Sequence, residues 1–224
     1  MITTADGSKT IQIEDWNEQY HSIHGAIQEA NHVFINHGLL FQINRFVREP
    51  LLKELHILEM GFGTGLNTLL TLIKGRELGV DLRYTGIEAY PVASSELESL
   101  NYVDLIDEAT EEDFKALHGS VWEEQISISP NFSLLKQQTF FQEVSNSNEF
   151  DLIYYDAFGA RVQPDLWTEE IFEKMYAALK AKGALVTYSA KGSVRRALKA
   201  VGFEVERLPG PPGKREMLRA RKVI

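Results

Sequence analysis

Leu58-Glu59-Met60-Gly61-Phe62-Gly63-Thr64-Gly65-Leu66-Asn67 joins an apolar run, Ile57-Leu58, to a helix-forming run, Leu66 to Lys74. Between them stand an acid and three glycines on alternate positions. The pattern reads as a strand, a tight turn and a helix start. Glycines let the backbone take positive φ and let a ligand approach where a Cβ would otherwise stand. The helix N-terminus behind them offers free N–H groups and a partial positive charge.

The spacing narrows the ligand. Dinucleotide sites use G-x-G-x-x-G, with the pyrophosphate on the helix start. Here the spacing is G-x-G-x-G, preceded by Glu59, and no Lys-Ser or Lys-Thr follows, which excludes a phosphate-cradling NTPase loop. The alternate spacing resembles motif I of class I S-adenosylmethionine (SAM) methyltransferases. Tyr84-Thr85-Gly86-Ile87-Glu88 reads as a second strand ending on an acid. An acid in that place accepts hydrogen bonds from ribose hydroxyls. A bare strand-to-helix turn and an NAD site are the competing readings, and motif plus acid is more specific than either alone.

At 224 residues the chain suits one domain with a full core and a small appendage. Hydrophobic content of 44% with 25% charged residues is that of an ordinary globular protein. There is no cysteine, which excludes disulfides and thiolate zinc sites and is compatible with a reducing cytosol. Met1 to Ser8 has no basic or apolar signal region, and no apolar run is long enough to span a bilayer. A cytoplasmic protein without membrane contact is the expectation. The net charge of −9 is unevenly spread: Lys191 to Ile224 holds ten Lys or Arg against Glu204, Glu206 and Glu216. That segment is +7, leaving −16 on the remainder. A basic C-terminal face on an acidic body can hold a phosphate backbone; an ordinary solvated face is the other reading.

After residue 55 strand and helix signals alternate. Strands are expected at His56–Gly61, Leu82–Glu88, Ser133–Gln138, Asp151–Ala157, Gly183–Ser189, Gly202–Leu208 and Glu216–Lys222. Helices are expected at Thr64–Arg76, Val92–Leu100, Thr168–Ala181 and Ser193–Ala200. This predicts a mostly parallel, seven-stranded sheet with helices on both faces. Pro209-Gly210-Pro211-Pro212-Gly213 leaves no room for a crossover helix, so the last strand is expected to pair antiparallel. The fold class is therefore α/β, Rossmann-like. Ligands in such sheets bind beyond the carboxyl ends of the strands. Residues 1–55 do not fit the alternation. Asp6-Gly7-Ser8 is a turn signal between extended pieces, and the segment is expected to be an N-terminal extension over the cofactor mouth, with the methyltransferase-like domain at 56–224. The acidic stretch Val103–Asp113 reads as a surface helix or loop.

Asp151 to Gly159 has a buried-strand pattern ending in Asp156, followed by a loop with Pro164 and Trp167 and then Thr168, a helix-capping residue type. The loop reads either as an acceptor-binding loop or as a strand-end cap with Trp167 in the core. Four of the six histidines, His21, His24, His32 and His37, fall within residues 21–37. Their spacing fits no metal motif, so substrate-facing or surface roles are expected and no metal is assigned. Pro211 to Met217 is a rigid turn presenting Lys214 and Arg215. It would grip a phosphate or carboxylate, or simply carry solvated charges.

With these residues on view, the chain resembles the tRNA 5-aminomethyl-2-thiouridine methyltransferases. These occur alone and as half of a bifunctional wobble-uridine enzyme. The resemblance is carried by Thr4 to Thr10, by Tyr20-His21-Ser22 with Gly25-Ala26 and Glu29, by His32-Val33-Phe34 and by Glu59 to Asn67. Downstream it continues through Asp156-Ala157-Phe158, Pro164 to Thr168, Val194 to Leu198, Ala200 to Phe203 and Gly213 to Met217. The family's Gly-Asp-Ala after the third strand is replaced by Lys136-Gln137-Gln138-Thr139, so Gln138 is expected to take over the adenine contact.

The resemblance implies methyl transfer from SAM to the primary amine of 5-aminomethyl-(2-thio)uridine at the tRNA wobble position. It assigns the cofactor to Glu59, Gly61, Gly63, Gly65, Asn67, Glu88, Gln138 and Asp156. It assigns catalysis to Asp156, with Phe158 and Tyr20 stacking on the base. Contacts to the tRNA anticodon stem-loop fall to His21, Ser22, Arg195, Arg196, Lys214 and Arg215. Any oxidoreductase step is expected on a separate protein. A methyltransferase of a small amine or protein, an aminopropyltransferase-like enzyme and a catalytically silent SAM- or RNA-binding module remain as alternatives.

Overall fold

The computed structural model describes residues 1–46 and 54–223. Eight strands form one sheet: β1 (Glu54–Met60), β2 (Asp81–Ile87), β3 (Gln125–Ser129), β4 (Phe132–Gln137), β5 (Phe150–Tyr155), β6 (Leu179–Thr187), β7 (Glu204–Pro209) and β8 (Glu216–Arg221). Their order is β7-β8-β6-β5-β1-β2-β4-β3. Neighbours from β4 to β6 pair in parallel, while β8 runs antiparallel to both β6 and β7. The short Pro-Gly connection decides this, because a tight loop returns the chain beside its predecessor and a parallel crossover needs a dozen residues or more. All seven expected strands are present. The eighth, β3, pairs antiparallel with β4 at the edge. Its alternation, Gln125-Ile126-Ser127-Ile128-Ser129, is a half-buried strand pattern that the tally of seven did not include.

The central strands are apolar on both faces, as parallel strands must be when helices cover each side. Ile57, Leu152, Tyr154 and Val186 point to one layer; Leu58, Ile153, Tyr155 and Leu185 point to the other. The helices α1 (Leu66–Leu78) and α2 (Glu111–Gly119) lie on the first face, and α3 (Glu169–Ala178) and α4 (Gly192–Ala200) on the second. Val92–Leu100 condenses to one turn, Ser94–Leu97. Within the acidic stretch, Thr110 and Asp113 form a reciprocal capping box that starts α2. Thr168 stands at the N-cap of α3 without capping it, because its hydroxyl donates to Asp165 O at 3.3 Å.

The N-terminal region contributes to the core as well as to the mouth. Two short hairpins lead into a helical run, α-helical over Ala26–Ala30, π-helical over Asn31–Leu39 and α-helical again over Leu40–Phe46. Ala26, Ala30, Val33, Phe34 and Leu39 are buried in the same layer as α1. The junction expected at residues 55 and 56 is preceded by residues 47–53, which lie outside those described.

The strand order reverses between β1 and β5. At that switch point the carboxyl ends of adjacent strands part and leave a crevice. Asp156 N–H donates to Met60 O at 3.0 Å, which fixes the ends of β1 and β5 side by side there.

Candidate active site

A cavity of about 860 Å³ opens at this switch point. That is within the usual range for a small-ligand site. Gly61 and Gly63 form its floor. Gly61 has φ +98°, and a Cβ there would lie 2.8 Å from Asp156 O. Gly63 has φ +48°, and a Cβ there would press on the Tyr20 ring at 3.1 Å. Either side chain would strain the backbone and narrow the cavity. Gly65 does not line it; its α-carbon faces the His118 ring.

Glu88 is held as a bidentate acceptor. Oε2 takes the Gly63 N–H and Oε1 the Tyr90 N–H, each at 3.0 Å. Burial raises its pKa, opposed by these backbone bonds. Each oxygen retains a further lone pair for a hydroxyl.

Glu59 is fully buried behind the cavity. It accepts from Asn67 Nδ2 at 2.9 Å and from Thr68 Oγ1 at 3.0 Å. The same Asn67 Nδ2 donates to Asp156 Oδ2 at 2.8 Å. One amide therefore links the buried Glu59 carboxylate to that of Asp156, which is half-buried. Burial, with the nearby Asp156 charge, pushes Glu59 up to about 8, against bonds from Asn67 and Thr68. Burial and then the charge of Glu29 push Asp156 up to about 7, against the Asn67 bond and Lys214.

The opposite wall is aromatic. Phe158 meets Tyr20 edge-on at 5.0 Å and Trp16 at 5.6 Å. The loop after Asp156 is pinned from both sides: Trp167 Nε1 donates to Phe158 O and Tyr188 Oη to Ala157 O, both at 2.8 Å. Trp167 is buried, so the loop lines the cavity and also roots in the core. Arg161 ties it to the N-terminal region by donating to Trp16 O, Asn17 O and Glu18.

Among residues expected from sequence, Asp156, Phe158, Tyr20, Gly61, Gly63, Asn67, Glu88, His21, Ser22 and Lys214 all line this one cavity. Glu59 reaches it only through Asn67. Gln138 is exposed, lies outside the lining and donates its N–H to Glu123; Phe140, Phe141 and Gln142 occupy that side instead. His21 bonds Thr10, and burial lowers its pKa to about 4, so it offers no charge to a phosphate. Ser22 is engaged by its N–H with Glu29 at 3.0 Å. Lys214 is half-buried, lines the cavity and pairs with Glu29. Arg195, Arg196 and Arg215 lie outside the cavity. Half of the C-terminal cations are engaged: Arg207, Arg219 and Arg221 pair with Glu216, Glu206 and Glu204, and Lys222 is buried among three oxygens. Glu29 and Tyr188 are cavity residues that the sequence assignment omitted. An acid among Ala26, Ile27 and Ala30 on an apolar helix start was the available signal for Glu29; Tyr188 gave none.

The histidines do not converge on a metal. His32 contacts Pro209 O and His24 packs on Gly213. Among the described residues no group of three metal-ligating side chains occurs, and no helix is long and apolar enough to cross a membrane.

The donor and acceptor set fits SAM. Glu18, Glu29, Glu88, Asp156 and Asp165 line the cavity against Lys214 as the sole lining cation among the described residues, which favours a positively charged ligand. Asn67 Oδ1 is buried and has no partner, an acceptor that the cofactor's ammonium would satisfy.

Residues 127–223 match the family described as S-adenosyl-L-methionine-dependent methyltransferase. The bifunctional protein MnmC for tRNA 5-methylaminomethyl-2-thiouridine biosynthesis from Hydrogenovibrio crunogenus is 31% identical over 90% of this chain and 31% of its own length. The protein of the same name from Pseudomonas fluorescens is 30% identical over 92% and 34%. The chain thus spans about a third of the curated relatives it matches. The crystal structure of MnmC2 from Aquifex aeolicus superposes with a TM-score of 0.78 at 26% identity, covering 98% of this chain and 68% of that one. The G-x-G-x-G cradle and the acids at the strand ends agree with these matches, which are to an S-adenosyl-L-methionine-dependent methyltransferase family and to MnmC proteins and indicate SAM as the cofactor.

Proposed function

We propose that the protein methylates the exocyclic primary amine of 5-aminomethyl-(2-thio)uridine at the tRNA wobble position, giving the 5-methylaminomethyl form. The observation that carries the reading is Asp156: a half-buried carboxylate lining the cavity that the Phe158 and Tyr20 rings also line. SAM supplies an electrophilic methyl on a sulfonium. Glu88, the Gly61–Gly63 backbone and Asn67 would hold it. The amine must arrive with its lone pair free, and a carboxylate beside an ammonium favours the charged form. Asp156 therefore acts by accepting a hydrogen bond from the neutral amine. As the N–C bond forms and the S–C bond breaks with its pair left on sulfur, the proton released from nitrogen passes to Asp156. Its pKa of about 7 suits both states near neutral pH. Positioning and water exclusion supply the rest. The Phe158 and Tyr20 faces suit an unstacked base.

Residues 1–55 would serve as the extension that closes the mouth, through Tyr20 to His24. The acidic lining keeps phosphate outside. The anticodon stem would lie on Lys191, Arg195, Arg196, Lys199 and Arg215, which have no ion-pair partner among the described residues. Any oxidative step that supplies the primary amine lies outside these 224 residues. The test is nucleoside mass spectrometry after incubating the protein and SAM with tRNA carrying the 5-aminomethyl group. A gain of one methyl on that nucleoside is expected; methylation elsewhere, or none, rejects the substrate.

A further inference from the structure

Both ends of the chain meet beside Asp156. Glu29, at the start of the N-terminal helical run, is 8% exposed and takes the Ser22 N–H on Oε2. Its Oε1 receives Lys214 Nζ from the β7–β8 turn. The same ammonium sits 3.9 Å from the centre of the Tyr188 ring, and Tyr188 Oη bonds the carbonyl of Ala157, the residue after Asp156. Glu29, Lys214, Tyr188 and Asp156 all line one cavity.

We propose that Glu29 and Lys214 are positioning residues that act as a matched pair to set the charge on Asp156. The polar and charged groups around that carboxylate come from several elements. Asn67 on α1 bonds it, Glu59 on β1 stands behind Asn67, Tyr188 follows β6, and the pair comes from the two chain ends. Like charges in a dry site oppose each other's ionisation, and a cation favours it. Glu29 alone would drive Asp156 towards the neutral acid, which cannot take a proton from the amine. Lys214 opposes part of that effect. The directions agree: Glu29 raises the Asp156 pKa and Lys214 lowers it. The role in catalysis rests on the function proposed above; the effect on Asp156 does not.

Carbon-13 NMR of protein labelled at the aspartate carboxyl carbon, with Asp156→Asn for assignment, reads the Asp156 titration without any substrate. Glu29→Gln should lower its midpoint and Lys214→Met should raise it, each by about half a unit or more. The double variant should fall between the two single variants, and Lys214→Arg should keep the wild-type midpoint. In single-turnover methylation of the tRNA the acid limb should move the same way. Unmoved midpoints, or shifts in one common direction, overturn the proposal and leave the pair as a clasp between chain ends. Shifts of opposite sign in a protein that fails to methylate the tRNA would uphold the inference and reject the substrate.

Discussion

On the β7–β8 ladder, Arg219 meets Glu206 at 2.8 Å and Arg221 meets Glu204 at 2.8 Å, each pair in cross-strand register. At the centre of the same sheet, Glu59 and Asp156 share one asparagine amide and form no ion pair among the described residues. The edge neutralises its charges within the ladder, and the exposed Arg221–Glu204 pair, screened by water, contributes little. The centre keeps two acids in a dry crevice, where an uncompensated charge is costly unless the group takes up a proton. Charge that is paired in the fold serves the fold. The acids that line the cavity, Glu88 and Asp156 among them, are left for what binds there.

The contrast breaks first at Asp156. Asp156→Ala should leave SAM affinity within a few-fold by calorimetry while lowering the single-turnover rate about 10²-fold or more, because the acid acts on the acceptor. Equal losses in both would move Asp156 to the cofactor. Glu88→Ala comes next. Losing hydrogen bonds to a charged acceptor should weaken SAM by about tenfold or more, on the order of 1.5–3 kcal/mol. Retained affinity would mean the ribose is held elsewhere.

The surface cations separate into two sets, and a salt titration of tRNA binding sharpens the division. Replacing Arg195, Arg196 and Arg215 by Ala should shallow the slope of log K against log salt by about two to three units. Arg221→Ala, whose guanidinium is already paired, should leave the slope unchanged. Identical slopes for both would place the tRNA on another face.

Glu59 gives a stability test. Its pKa is raised in the fold to about 8, above the unfolded value of 4.5. The folded state therefore binds the proton more tightly, and that stabilisation is complete below about pH 4.5 and lost as pH rises through about 8. Glu59→Gln mimics the neutral acid, so the melting temperature of the SAM-free protein should fall less steeply between pH 5 and 8 than in wild type, where other groups titrate alike in both. Parallel curves would show Glu59 ionised in the fold. The smallest effect belongs to the edge: Glu204→Ala should cost about 1 kcal/mol or less in chemical denaturation, as exposed pairs do. A larger loss would make the ladder pairs structural anchors.

The alternate glycines, Glu88 and Asp156 were legible because each belongs to a local pattern, a strand that runs out of apolar residues and turns. The paired acids on β7 and β8 were not, since a count of ten cations carries no information on which acid each will face. Lys214 and Arg215 are adjacent in sequence, yet one enters the cavity and the other faces solvent. Gln138 was placed by analogy with a family motif and stands outside the lining.

By itself the sequence determined the α/β alternation, the SAM-type turn and the acids at the strand ends, because hydrophobic period, glycine spacing and chain stops act over neighbouring residues. Only the tertiary structure decided that Asn67 would join Glu59 to Asp156 and that Glu29 would meet Lys214 across 185 positions. It also decided that a helical run from the N-terminus would complete a core layer. Those contacts depend on how distant segments pack, and burial, which sets the charge on each acid, exists only once they have done so.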